Sequence, residues 1–240
     1  MHSQVDNELM KHIVVGPEIS NRKFLESYAG SAHIGLCGGN DLINKAIRKM
    51  QWQVTSDGRR SPWSHAFMFS ERRSDGEFWV LESDLDLRHK QIRLGVQENR
   101  MSKYFDESEF PNLAVIDFDL SSDQSKAVLT EGLNLLSGLS TYSLSELLGT
   151  LMAMSTTGMR AKENLLARKG ALYCSAMVQH CFDAINFDLK PDVDTKNITP
   201  HDLFQTPQQH TGYHLIREQP KGPRKSIGQR MIDLANTEIL

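Results

Sequence analysis

The chain has 240 residues, enough to bury a substantial core in one domain, and its 27 basic and 30 acidic residues give a formal net charge of −3. With that balance no global field attracts nucleic acid or an anionic membrane, so nucleic-acid binding is disfavoured. The three cysteines, at 37, 174 and 181, have no CxxC spacing, which argues against a disulfide framework and against a zinc finger.

The opening "MHSQVDNELMKHIVVGPEIS" lacks a cationic region followed by an apolar one, and nowhere do about 18 apolar residues run uninterrupted. The expectation is a soluble cytoplasmic protein without stable membrane insertion, its thiols kept reduced. "SNRKFLESYAG" (20–30) predicts a short helix closed by Gly30, and "AHIGLCGG" (32–39) a strand ending in a glycine turn. A helix capped by Asn40 or Asp41 should follow, with Leu42, Ile43, Ala46, Ile47 and Met50 as its apolar stripe. "QWQVTSDGRRSP" (51–62) reads as an exposed loop.

Strand signals then dominate at 64–70, 77–83, 91–96 and 113–118, an antiparallel meander. From about 122 the period becomes helical, with Val128, Leu129, Gly132, Leu133 and Leu136 on one side. A second helix is predicted behind a Ser143-x-x-Glu146 capping box, and its apolar stretch 134–154 is assigned to core packing rather than to a membrane. A third helix covers about 173–186, "GYHLIRE" (212–218) is a last strand, and "QPKGPRKSIGQR" (219–230) begins a basic tail read as a solvated end. The class is α+β, an antiparallel sheet packed against helices. One domain spans 1–240, its core at about 30–216, with an N-terminal extension and the basic C-terminal tail.

Polar residues interrupt the hairpin "WSHAFMFSERRSDGEFWVLESDLD" (63–86). If "ERRSDG" is the loop, His65 stands directly opposite Glu82, with Cβ atoms about 4.5–5.5 Å apart. A tight Asp75-Gly76 turn would instead put Asp86 there, and in either register His65, Glu82, Asp84 and Asp86 share one face. A carboxylate so placed can fix one imidazole tautomer.

In "RKGALYCSAMVQHCFDAI" (168–185), Cys174 falls at or beside the first turn of a helix, where unpaired N–H groups favour a thiolate. Cys174, Met177, Val178, Cys181, Phe182 and Ile185 also make an ordinary apolar stripe, so spacing alone leaves Cys174 open between nucleophile and core residue. Cys181, deeper on the stripe, reads as structural.

"SHAFM", then "WVLES", then "LYCSAMV", flanked by "AHIGLCGGNDLINKAIRKMQ" and "ITPHDLFQT", resembles the permuted papain-like amidases of the YiiX/YaeF type, a branch of the NlpC-type cysteine peptidase superfamily. The likeness spans about residues 30–216. It implies a circularly permuted papain-like fold and a hydrolase or acyltransferase acting on a peptide amide or lipid acyl bond. Cys174 would be nucleophile, His65 general base and then acid, and Glu82 (or Asp84 or Asp86) the residue orienting His65. The Cys174 N–H, with Tyr173 nearby, would serve the oxyanion, and Tyr142 and His33 would lie towards the substrate. Ala176 stands where the family usually carries Glu, and Ala32-His33 where its opening strand begins Gly-Asp. The resemblance implies no cofactor. A metal site drawn from His33, Cys37, His65, Cys174 and His180 is disfavoured, because no pair has zinc-ligand spacing. The alternative from another class is a binding module that holds a lipid or small molecule on the same fold, with Cys174 inert.

Overall fold

The computed structural model describes residues 10–55, 58–86, 93–138 and 174–219. One sheet of seven strands joins them: β1 (Met10–Val14), β2 (Ile34–Gly38), β3 (His65–Arg72), β4 (Phe78–Asp86), β5 (Arg93–Arg100), β6 (Asn112–Asp117) and β7 (His210–Ile216), in spatial order β1-β7-β6-β2-β3-β4-β5. Every neighbouring pair is antiparallel except β1 with β7, which run parallel. With five helices among the described residues, the class is α+β: α1 (Asn21–Tyr28), α2 (Leu42–Met50), α3 (Ser122–Ser137), α4 (Cys174–Asp183) and α5 (Pro200–Phe204).

The central strands are nearly continuous apolar runs because both faces of the sheet are covered. Alternation divides them between two cores. Ile34, Leu36, Ala66, Met68, Leu81, Ala114 and Ile116 point to one, with Val128 and Leu129 of α3 and Met177, Val178, Cys181 and Phe182 of α4. Cys37, Phe67, Phe69, Val80, Leu113 and Val115 point to the other, under Phe24 and Leu25 of α1 and Met101 and Tyr104 of a 3-10 turn. Full burial of a side chain such as Met68 or Phe69, both 0% exposed, contributes about 1.5–3 kcal/mol. Held between α3, α5 and the sheet, α4 buries more than its apolar stripe: Ser175, Ala176 and Gln179 are enclosed too. Gly132 lets α3 approach closely, since a Cβ there would meet Leu81 Cδ1 at 2.8 Å and Met68 Cε at 3.3 Å.

Caps follow local chemistry. Ser20 caps α1, Asp41 caps α2 by accepting from Asn44 N–H, Ser121 and Gln124 make a capping box for α3, and Thr199 and Asp202 make another for α5. Several expectations change. α1 closes on extended Ala29 rather than on Gly30. The N-terminal extension contributes α1 to the second core and β1 to the sheet edge, a strand too exposed to show alternation. α2 forms as expected, but its most buried residue is Arg48, 5% exposed, while in its apolar stripe Leu42 is 86% exposed and Ile43, Ile47 and Met50 are half-buried. The helix expected behind Ser143, most of the apolar stretch 134–154, residues 91–92 of the expected third hairpin arm and the tail beyond Gln219 lie outside the described residues.

The β3–β4 hairpin has neither of the two turns considered. Gly76 N–H bonds Arg73 C=O and Arg73 N–H bonds Glu77 C=O, with Gly76 at φ +78°, so three residues form a type I turn closed by a left-handed glycine. A further register shift between Phe69 and Arg72 leaves Phe67, not His65, directly opposite Glu82.

Candidate functional site

His65 opens β3, where it pairs with Cys37 of β2. The preceding residue fixes the entry, since Ser64 N–H bonds Cys37 C=O and Ser64 Oγ accepts from Gly39 N–H. Although the register differs from expectation, His65 and Glu82 still share a face, now as diagonal neighbours, and the longer Glu side chain spans the offset. His65 Nε2 lies 2.7 Å from Glu82 Oε2. Glu82 takes the orienting place, and its strand also carries the alternatives Asp84 and Asp86, whose backbones pair with Gly95 and Arg93.

Glu82 is 0% exposed. Its Oε1 accepts from Asn99 Nδ2 at 2.6 Å and from Lys103 Nζ at 2.7 Å, while Oε2 also accepts from Tyr104 OH. Burial on its own would raise this carboxyl, but the Lys103 charge and the His65 contact outweigh it and hold the group far below the usual carboxylate range. Asn99 comes from β5, and the 3-10 turn Met101–Tyr104 that follows β5 carries Lys103 and Tyr104 under the carboxylate. The Tyr104 ring stacks on Phe67 at 4.2 Å and 8° between planes. Gly35 of β2 leaves room for that stack, because a Cβ there would lie 2.1 Å from the Phe67 ring.

Cys174 is half-buried and is the first described residue of α4. Burial raises its thiol pKa, but the charge of His65 and a hydrogen bond with it, helped by Ala66 N–H and the Ser175 hydroxyl, bring the net value below that of an ordinary thiol. Ser175 Oγ stands 3.7 Å from the sulfur. Cys181 behaves oppositely: burial, then Glu131 and Asp183, push its thiol up to about 12.

The structure therefore gathers Cys174, His65 and Glu82, and it does not bring His33 to them. His33 lies beyond the far end of β2, its Nδ1 3.0 Å from Tyr28 C=O and its Nε2 3.2 Å from Asp117 Oδ1. Its backbone meets Phe69, four residues along β3 from His65, or about 13 Å at strand spacing. Tyr173 and Tyr142 lie outside the described residues. Sequence reasoning missed Asn99, Lys103 and Tyr104 because the third hairpin arm was ended at 96, whereas β5 continues to Arg100. The available signal was "NRMSKY" (99–104): a buried carboxylate requires a cation and donors, and these follow the adjoining strand directly.

No family model and no curated protein matches the chain. Among solved structures it is similar to the one described as the metalloprotein yiiX (DUF1105) from Escherichia coli O157:H7, with a TM-score of 0.50 and 14% identity over 82% of this chain and 99% of that one. At that identity the likeness establishes a YiiX-like fold.

Proposed function

We propose that the protein is a thiol-dependent hydrolase or acyltransferase of the YiiX/YaeF type, on a circularly permuted papain-like fold. The observation that carries this reading is the His65 ring fixed 2.7 Å from the buried carboxylate of Glu82 and placed where its charge lowers the pKa of the Cys174 thiol. In the reaction, the Cys174 thiolate attacks the carbonyl carbon of an amide or ester and forms the C–S bond. Backbone N–H groups at the start of α4 hold the developing oxyanion, and His65 gives its proton to the leaving nitrogen or oxygen as that bond breaks. Water or another nucleophile, deprotonated by His65, then attacks the thioester and releases Cys174. Glu82 keeps the Nε2–H tautomer, so that Nδ1 exchanges the proton, and steadies the imidazolium.

The similar E. coli protein is described as a metalloprotein. The Glu82 carboxylate does not fit a metal ion, because Lys103 already supplies the cation beside it and Asn99, Tyr104 and His65 fill its remaining positions. Among the described residues no three His, Cys, Asp or Glu side chains gather in a metal-holding group. A thiol of this kind works in a reducing compartment such as the cytoplasm.

The test is to incubate the protein with peptide, acyl-thioester and lipid libraries and to search by mass spectrometry for an acyl group on the peptide carrying Cys174. The expected result is a class-specific adduct that is absent in Cys174→Ser. No adduct from any class, together with tight binding of an unmodified lipid, would replace catalysis with the binding-module reading.

A further inference from the structure

The most buried residue of α2 is Arg48, not a member of its apolar stripe. At 3.6 residues per turn, Leu42, Ile43, Ala46, Ile47 and Met50 fall within an arc of about 140°, which sequence pattern alone would direct to the core. The helix seats itself by the opposite side instead. Arg48 is 5% exposed, its Nε 3.1 Å from Ser61 C=O and its Nη1 2.9 Å from Glu218 Oε2. None of the five apolar residues belongs to either core among the described residues. Leu42 is 86% exposed and Ala46 is exposed, while Ile43, Ile47 and Met50 are half-buried; Trp52, in the 3-10 turn that follows, is 50% exposed.

The charges bordering the arc are cationic. Lys45 and Lys49 lie on the flank that adjoins Leu42, and both are exposed, as are Arg59 and Arg60 in the following loop. Lys45, Arg48 and Arg60 line a cavity of about 260 Å³ with Glu218 and Gln219. An outward apolar arc, an exposed tryptophan and a bordering set of Lys and Arg are the features of a helix lying in the plane of an anionic membrane, with its apolar side among the acyl chains and its cations at the headgroups.

We propose that α2, with Trp52 and the Lys45, Lys49, Arg59 and Arg60 cations, docks the protein on an anionic lipid surface. This is peripheral attachment, without any span, and it does not depend on acyl transfer at Cys174. Of the acids among the described residues here, Asp41 is engaged in capping α2 and Glu218 is paired with Arg48. The net charge of −3 does not argue against it, because screening beyond about 10 Å makes the local cluster decide.

The test is co-sedimentation of the full chain with vesicles of phosphatidylcholine alone and of phosphatidylcholine with phosphatidylserine. The expected result is partition onto the phosphatidylserine vesicles that falls as salt is raised. It should drop by about tenfold or more in Lys45→Glu/Lys49→Glu, and similarly in Leu42→Ser/Trp52→Ala. All four positions are on the surface, and an unchanged urea midpoint would verify that each variant folds. Equal partition onto both vesicle types would overturn the proposal, as would variants that bind like the wild type. Self-association that is lost in Leu42→Ser/Trp52→Ala, without vesicle binding, would overturn it in favour of a second copy of the chain. Neither vesicle binding nor self-association would overturn it as well, leaving the arc to the chain's own remaining residues.

Discussion

Replacing Glu82 with Gln keeps the side chain's shape and removes its charge. Four donors converge on this carboxylate: His65 Nε2, Tyr104 OH, Asn99 Nδ2 and Lys103 Nζ. A glutamine offers one acceptor oxygen and turns an NH2 towards at least one of those donors, while the Lys103 ammonium, 13% exposed, loses its counter-ion. Breaking a buried pair from one side costs about 3–5 kcal/mol, and the residual exposure of Lys103 favours the lower end. A loss of about 3 kcal/mol corresponds in a chain of this size to a fall of about 6–12 °C in Tm. Adding Lys103→Met removes the stranded charge, so Glu82→Gln/Lys103→Met should recover about 1 kcal/mol or more relative to Glu82→Gln. Urea unfolding at pH 7 of the wild type, both single variants and the double variant measures the cycle. A loss below about 1 kcal/mol in Glu82→Gln, or strictly additive effects in the double variant, would refute a buried, charge-paired Glu82.

Gly35→Ala should destabilise the protein by about 1–3 kcal/mol, read from the urea midpoint, because its Cβ would intrude on the Phe67 ring that supports Tyr104. His33→Ala should leave the alkylation rate of Cys174 unchanged, since His33 is engaged with Tyr28 and Asp117 away from the site. His12, His210 and His214 share one face of the β1–β7 edge, and burial, joined by neighbouring imidazole charge at His12 and His214, lowers all three pKa values. A histidine depressed in the folded state binds its proton more readily when unfolded, so stability should fall as pH drops below about 6.5, before carboxylates titrate. The urea midpoint followed from about pH 7.5 to 5 should show this decline, and His210→Phe should flatten it.

Much of the sheet was legible because strands buried on both faces leave long apolar runs, as in "HAFMF" and "LAVID". The shared face of His65 and Glu82 was legible because face parity survives a two-residue error in register, whereas Cys174 was singled out by its expected place at a helix start and by the family resemblance. The error itself came from the hairpin end, where a left-handed Gly76 and the shift between Phe69 and Arg72 reset pairing in a way that composition does not encode. β1 was missed because an exposed edge strand makes no periodic signal. The facing of α2 was not legible, because amphipathicity marks the two sides of a helix without saying which neighbour is present, and here Arg48 is buried with two polar partners.

The central claim, a thiolate sustained by His65, is tested most directly by the pH dependence of Cys174 alkylation with iodoacetamide, read peptide by peptide in wild type and His65→Ala. The account predicts rapid labelling of Cys174 at about pH 6, well below the ordinary thiol value of about 8.5. Cys181, pushed up to about 12, and buried Cys37 should stay unmodified. In His65→Ala the Cys174 curve should move up towards that of an ordinary thiol. A Cys174 that is inert from about pH 6 to 9 in the folded protein, or that labels identically with and without His65, would contradict the account and return the residue to the apolar stripe of α4.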